Sequence, residues 1–140
     1  ARRLLQKKAF SGRALLALRA EGRALDRLNA RGARLRDAHF ERAALRGARF
    51  DGANLSNAHF AGADLREAAF AGADCEGADF RGADLRGAHF AGASLFGASF
   101  CDEDGGNGAL LDATTQVPPE ALDQLTPPQR GFLEAHRGAA

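Results

Sequence analysis

From Ala33 onward, apolar residues return every five positions. Cut into fives, the chain reads ARLRD, AHFER, AALRG, ARFDG, ANLSN, AHFAG, ADLRE, AAFAG, ADCEG, ADFRG, ADLRG, AHFAG, ASLFG and ASFCD, 14 consecutive units with Ala first and Leu, Phe or Cys third. A period of five matches neither the 3.6 of an α-helix nor the 2.0 of an extended strand, so the chain must turn once in every unit. Gly or Asn closes most of the units, as at Gly47, Gly52, Asn57 and Gly62, and these residues tolerate the backbone conformations of corners. The frame extends back to Arg23 through RALDR and LNARG, which keep an apolar third residue, so the regular array is residues 23–102, sixteen units.

These units resemble the A(D/N)Lxx pattern of the pentapeptide-repeat family over more than half of the chain. The resemblance implies an all-β solenoid, a right-handed quadrilateral β-helix with four units per coil. Sixteen units then make about four coils, a tower roughly 19 Å tall at the β spacing of about 4.8 Å per rung. Residues 20 apart stack, and the third residues fill the interior in four ladders: Leu35, Leu55, Cys75, Leu95; Phe40, Phe60, Phe80, Phe100; Leu25, Leu45, Leu65, Leu85; and Ala30, Phe50, Phe70, Phe90. Phe then occupies two opposite sides and Leu the other two.

A solenoid leaves unpaired rungs at its ends, so short α-helical caps are expected at both. Residues 1–22 form the N-terminal helical cap in this reading. Ser11 opens a helix from Gly12 to Glu21, carrying Leu15, Leu16 and Leu18 and closed by Gly22, with the basic segment Ala1–Phe10 before it. Residues 103–140 hold an acidic Gly-rich loop, a partial rung in GALLDATT and two short helices opened by the Pro pairs at Pro118 and Pro127. Leu122, Leu125, Phe132 and Leu133 either cover the last coil or meet a second copy, giving a homodimer through the C-terminal segment.

Ala, Gly, Leu and Phe carry nearly all of the apolar content, and Met, Trp and Tyr are absent, the narrow composition of a repeat. A chain without an initiator Met reads as processed or as a piece of a longer one. The net charge of +1 hides an uneven distribution. Residues 1–30 hold eight Lys or Arg against two acids, residues 31–100 nine against nine, and residues 101–140 two against seven. End-to-end or dimeric association through the basic head and acidic tail is one expectation. Two cysteines, Cys75 and Cys101, form no metal knuckle or disulfide framework and point to a reducing, cytoplasmic setting. No apolar run is long enough to span a bilayer, and no membrane partner is expected.

Candidate chemistry is sparse. Ser56, Ser94 and Ser99 accompany His39, His59 and His89, but repeated polar rungs create such neighbours without an oxyanion cradle, so no catalytic residue is assigned. His39, His59 and Asp79 fall in a straight column, whereas real metal sites converge on the ion, so no metal ligand or cofactor is assigned. Arg46, Arg66 and Arg86 stack beside Asp64 and Asp84. They either grip an acidic partner or simply neutralise a charge column by interleaved ion pairs. Ala69, Ala71 and Ala91, with Gly72 and Gly92, make one side smooth enough to dock a flat partner. Phe96 stands at an outward position where a large aromatic is unexpected, and burial under the C-terminal segment is its first explanation, a partner contact its second.

The function expected is non-enzymatic, a protein-protein interaction or scaffold module using the outer faces of the β-helix, with no small-molecule substrate. The best-understood members of the family resemble duplex DNA and bind DNA gyrase or topoisomerase. The resemblance carries that activity only onto a strongly acidic surface, and the neutral repeats depart from one. Nucleic acid itself is not expected as a partner. The stretch LLALRAEGRAL, residues 15–25, is similar to the entry segment of pentapeptide-repeat proteins associated with bacterial type VI secretion, which implies a secretion component or effector as the partner.

Overall fold

The computed structural model describes residues 9–136. From Ala9 to Gln116 the backbone climbs as a four-sided parallel β-helix in which each side pairs with the one a coil later, 20 residues on for most of the tower. The paired positions are Ala14, Arg34, Asn54, Asp74 and Ser94 on the first wall, and Arg19, His39, His59, Asp79 and Ser99 on the second. The third wall runs Ala24, Ala44, Asp64, Asp84 and Leu110, and the fourth Ala9, Asn29, Arg49, Ala69, His89 and Gln116. Three walls therefore have five rungs and the fourth has six, so the tower is one coil taller than the sixteen-unit array.

The repeat is explained by where its backbone N–H groups go. In the unit Arg23–Arg27, the third residue, Leu25, donates to the Ala44 carbonyl of the next coil (2.7 Å), and the fifth, Arg27, to the Arg46 carbonyl (2.8 Å). One coil on, the second residue, Ala44, donates back to the Arg23 carbonyl (2.8 Å). The first residue of each unit closes the corner behind it, as Leu28 does on the Leu25 carbonyl (3.0 Å). The fifth residue has φ in the left-handed region at every corner, for example +69° at Gly92 and +57° at Arg42, while no fourth residue does. That is the type II turn, and it explains the Gly, Asn or Asp at most fifth places.

Only the N–H of the fourth residue is left without a rung partner, and an Asp or Asn at the second place supplies one. Arg66, Arg81 and Arg86 donate to Asp64 (3.2 Å), Asp79 (3.0 Å) and Asp84 (3.2 Å), and Ser56 to Asn54 (3.0 Å). The D/N of the repeat is thus a local side-chain cap on an otherwise solvent-facing amide.

Inside, all four ladders hold. Each of their residues is fully buried, and so is the leading Ala of nearly every unit. The two Phe ladders come from opposite walls and interlock. Phe50, Phe70 and Phe90 stack at 5.3 and 4.8 Å, and meet Phe60 and Phe80 of the other ladder edge to face at 5.6 to 6.0 Å. Offset and T-shaped pairs are the favoured aromatic geometries.

The expected N-terminal helix over 12–21 is absent; these residues form another coil of the tower. Ala14, Arg19 and Ala24 bridge to Arg34, His39 and Ala44, and Phe10 is fully buried. The usual order of sizes is exchanged here. Leu18 and Leu28 stand at the first place and Ala20 and Ala30 at the third, all buried, so the large group enters the interior from the neighbouring position. That exchange hides the five-residue frame and mimics helical spacing of leucines. Residues 1–8, also assigned to this cap, lie outside the described residues.

At the other end the expected features are present: a half rung and two helices, α1 (Pro119–Leu122) and α2 (Pro127–His136), each opened by proline. Leu122, Leu125, Phe132 and Leu133 are buried on their own chain against the last coil, the first of the two roles expected of them. Phe132 reaches Gly108 so closely that an added Cβ there would sit 2.5 Å from its ring.

Four inward N–H groups of the last coil need acceptors, and four different ones serve. Leu85 and Phe90 donate to the carbonyls of Leu110 (2.8 Å) and Gln116 (2.9 Å) in the half rung. On the two remaining walls the carbonyl is replaced by a side-chain amide: Gln124 Oε1 accepts from Leu95 N–H (2.6 Å) and Gln129 Oε1 from Phe100 N–H (2.6 Å). Gln129 also accepts from Cys101 N–H (3.2 Å) and donates its Nε2–H to the Cys101 carbonyl (2.9 Å).

Candidate functional site: the outer walls

With the interior filled by apolar side chains, chemistry is confined to second, fourth and fifth places, which face outward. An Asp and an Arg two residues apart project side by side there. Arg66 brackets Asp64 with Nε (2.8 Å) and Nη2 (2.7 Å), Arg86 brackets Asp84 (2.9 and 2.6 Å), and Arg81 brackets Asp79 (2.9 and 2.9 Å) while reaching Asp102 (2.9 Å). Arg46 pairs with Glu67 at 3.2 Å.

The expected Arg46, Arg66, Arg86 column therefore exists on the third wall, bracketed by Asp26 and Asp112 at its two ends and tied to carboxylates along its length. This is the interleaved arrangement, and it leaves no unbalanced cationic stripe for a phosphate backbone.

The paired carboxylates are held below the usual range. Hydrogen bonds from Arg66 and Arg86 do this for Asp64 and Asp84, and at Asp79 burial, which pushes upward, is outweighed by the bonds from Arg81. A carboxylate depressed in the folded state adds stability above its unfolded value and loses it as pH falls through the folded one. Thermal unfolding followed by circular dichroism should show a flat Tm near neutrality and a fall below about pH 4. Asp64→Asn with Asp84→Asn should make that fall shallower.

The histidines and serines do not assemble a nucleophilic site. On the second wall the column runs His59, Asp79, Ser99, which puts the carboxylate between imidazole and hydroxyl, whereas a triad needs the imidazole in the middle. Ser56 Oγ bonds to Asn54 (2.7 Å) and Asp74 (3.4 Å). His39 and His59 stack at 4.4 Å.

A convergence missed by sequence reasoning lies lower on this wall, where donor atoms of Glu21, His39 and Glu41 come within 4.8 Å of one another. It was hidden because Glu21 belongs to the unrecognised coil. Two of its groups are tied to neighbours, Arg19 holding Glu21 at 2.6 Å and His39 Nδ1 lying 3.3 Å from Glu41 Oε2, while the buried Glu41 Oε1 has no hydrogen-bond partner.

Cys75 is fully buried, and desolvation pushes its thiol far up, so it is an inert core residue. Cys101 is buried as well, and desolvation followed by the acidic loop raises it.

Ala69, Ala71 and Ala91 lie in the upper half of the fourth wall together with His89 and Gln116, beside a shallow depression of about 290 Å³ between Ala91 and Thr115–Pro118. Phe96 is not covered by the C-terminal segment. It is 54% exposed on the first wall, where the fourth-place column reads Leu16, Arg36, Ser56, Glu76, Phe96.

The model for pentapeptide repeats matches residues 25–62 and 63–100 in eight copies. The chain belongs to the pentapeptide repeat family. Members of that family form right-handed quadrilateral β-helices. A pentapeptide repeat protein of the Arabidopsis thaliana thylakoid lumen is similar in structure, with 28% identity, a TM-score of 0.51 and coverage of 81% of this chain and 74% of that one. A pentapeptide repeat protein from Nostoc PCC 7120 aligns over 83% of this chain and 80% of its own at 24% identity, with a TM-score of 0.45. A trypsin-treated form of QnrB1, a plasmid-mediated fluoroquinolone resistance protein, aligns over 76% and 68% at 20% identity, also with a TM-score of 0.45. No curated protein matches the chain. Among the described residues no helix of this pentapeptide repeat protein is long and apolar enough to cross a membrane.

Proposed function

We propose that this pentapeptide repeat protein is a non-enzymatic, cytoplasmic interaction module that binds a protein partner through its outer walls. The observation that carries the reading is Phe96. Every other described phenylalanine is at most 8% exposed, yet this one stands 54% exposed on a flat wall. An exposed aromatic on a rigid surface is the kind of anchor that dominates interfaces. The smooth stretch of Ala69, Ala71 and Ala91 and the ionic column of Arg46, Arg66 and Arg86 offer further surfaces of complementary character. In its finer form the partner is a component or effector of type VI secretion, a reading supported by the similarity of residues 15–25.

The second reading, a DNA mimic acting on gyrase, requires a wall of uncompensated acids. Here nine Lys or Arg face nine acids across residues 31–100, and the arginines of the third wall occupy its carboxylates.

Affinity capture from native cell extract tests the proposal, with Phe96→Ala as the comparison. We expect a partner retained by the parent and weakened by about tenfold or more in the variant, with unchanged melting. A parent that retains nothing beyond what Phe96→Ala retains would overturn it. Added to a gyrase supercoiling reaction, the protein should not inhibit.

A further inference from the structure

The first wall differs from the others in how it treats charge. On the second and third walls acids and bases alternate within bonding distance and neutralise one another in place. On the first wall they are sorted by height: Arg34 and Arg36 in the second coil, Asn54 and Ser56 in the third, Asp74 and Glu76 in the fourth. Among the described residues Arg34, Asp74 and Glu76 enter no ion pair, and Arg36 has only a 3.9 Å approach to Asp37. Two rungs of about 4.8 Å separate the bases from the acids, too far for direct pairing within one tower. The column ends in two of the three exposed large apolar side chains among the described residues, Leu16 at 67% and Phe96 at 54%.

We infer that the first wall is a self-complementary surface that binds a second copy of this chain, tower against tower and antiparallel. A two-fold axis lying in the wall along the strand direction, level with Ser56, maps the first coil onto the fifth and the second onto the fourth. It keeps second places opposite second places and fourth opposite fourth. Arg36 then faces Glu76 of the copy, Arg34 faces Asp74, and Leu16 meets Phe96. Each of these contacts occurs twice, as an isologous interface demands.

Asn54 and Ser56 lie on the axis and meet themselves, which polar groups able to donate and accept can do. The third wall is the internal control. The same operation there sets Arg46 against Arg86 and Asp26 against Asp112, all like charges, so it repels its own copy. Five rungs make a face only about 24 Å tall, smaller than the footprint of a permanent dimer. The dimer is therefore weak, reversible and dependent on salt.

This inference rests on the reading of the walls as contact surfaces and names one occupant for one wall. Sedimentation velocity of the purified chain over a concentration series at low salt tests it without any foreign partner. The parent should shift from monomer to dimer with concentration and back toward monomer at high salt. Arg36→Glu alone and Glu76→Arg alone each set like charges opposite twice and should weaken association about tenfold or more. Both residues are exposed, so melting should be unchanged. Mixed one to one, the two variants restore opposite charges at both positions and should form a heterodimer about as tightly as the parent self-associates. A parent that stays monomeric at every concentration overturns the inference and leaves partner capture untouched. A dimer insensitive to either variant, or a mixture that fails to associate, overturns it as well.

Discussion

Replacing Gln129 by Leu is expected to cost about 3 to 5 kcal/mol, measured by urea unfolding. Gln129 is only 4% exposed, and its amide satisfies three backbone groups: the N–H of Phe100, the N–H of Cys101 and the carbonyl of Cys101. Leucine fills the same space and leaves all three without partners. Each buried polar group stripped of its partner costs about 1 to 3 kcal/mol, partly offset by burying a better hydrophobe. Gln124→Leu is the calibrating variant. Gln124 is half-buried and serves Leu95 N–H alone, so its loss should be about 1 to 2 kcal/mol. Equal and small effects at the two positions would show that the C-terminal segment merely lies on the tower.

Phe70→Ala should destabilise by about 3 to 5 kcal/mol without changing the fold. Its ring stacks on Phe50 and Phe90 and meets the edges of Phe60 and Phe80, so truncation opens a void at the centre of both aromatic ladders. Neighbours pinned by their own rungs cannot collapse into that void, which puts the cost at the upper part of the range for large-to-small changes. A variant with the parent's unfolding midpoint would mean that the interior register is wrong.

Much of the tower is legible in the sequence because one unit specifies one corner. Third-place Leu and Phe, leading Ala and fifth-place Gly repeat for 70 residues, and every ladder assembled from them is buried as expected. The lowest coil escaped because Leu18 trades places with Ala20, an exchange that Leu28 and Ala30 repeat within the recognised array. The volume is conserved inside the tube, but the frame that depends on Ala coming first is lost. Allowing Leu-x-Ala beside Ala-x-Leu carries the register back to Leu18; before it the units begin with Arg13 and Lys8 and keep only the apolar third residue, Leu15 and Phe10.

The glutamine caps were out of reach for another reason. Gln124 and Gln129 act on residues 29 positions away, and only the path of the chain after Pro118 brings them there. Phe96 was recognised as misplaced by its outward position alone. Its exposure depends on where the C-terminal segment comes to rest, over the end of the tower, where Gln124 caps Leu95, and not over the outer face of the first wall.

An amide side chain is chemically a peptide group, and the two glutamines use that identity to counterfeit a strand. A parallel β-helix that simply stopped would present its last row of N–H groups as a template for any extended segment, including the first coil of another molecule. Here the four third-place donors of that row are taken, two by the partial rung and two by the counterfeit. Growth by strand addition at this end is thereby closed off, and the tower keeps a finite length although nothing in its repeating unit limits how far it climbs.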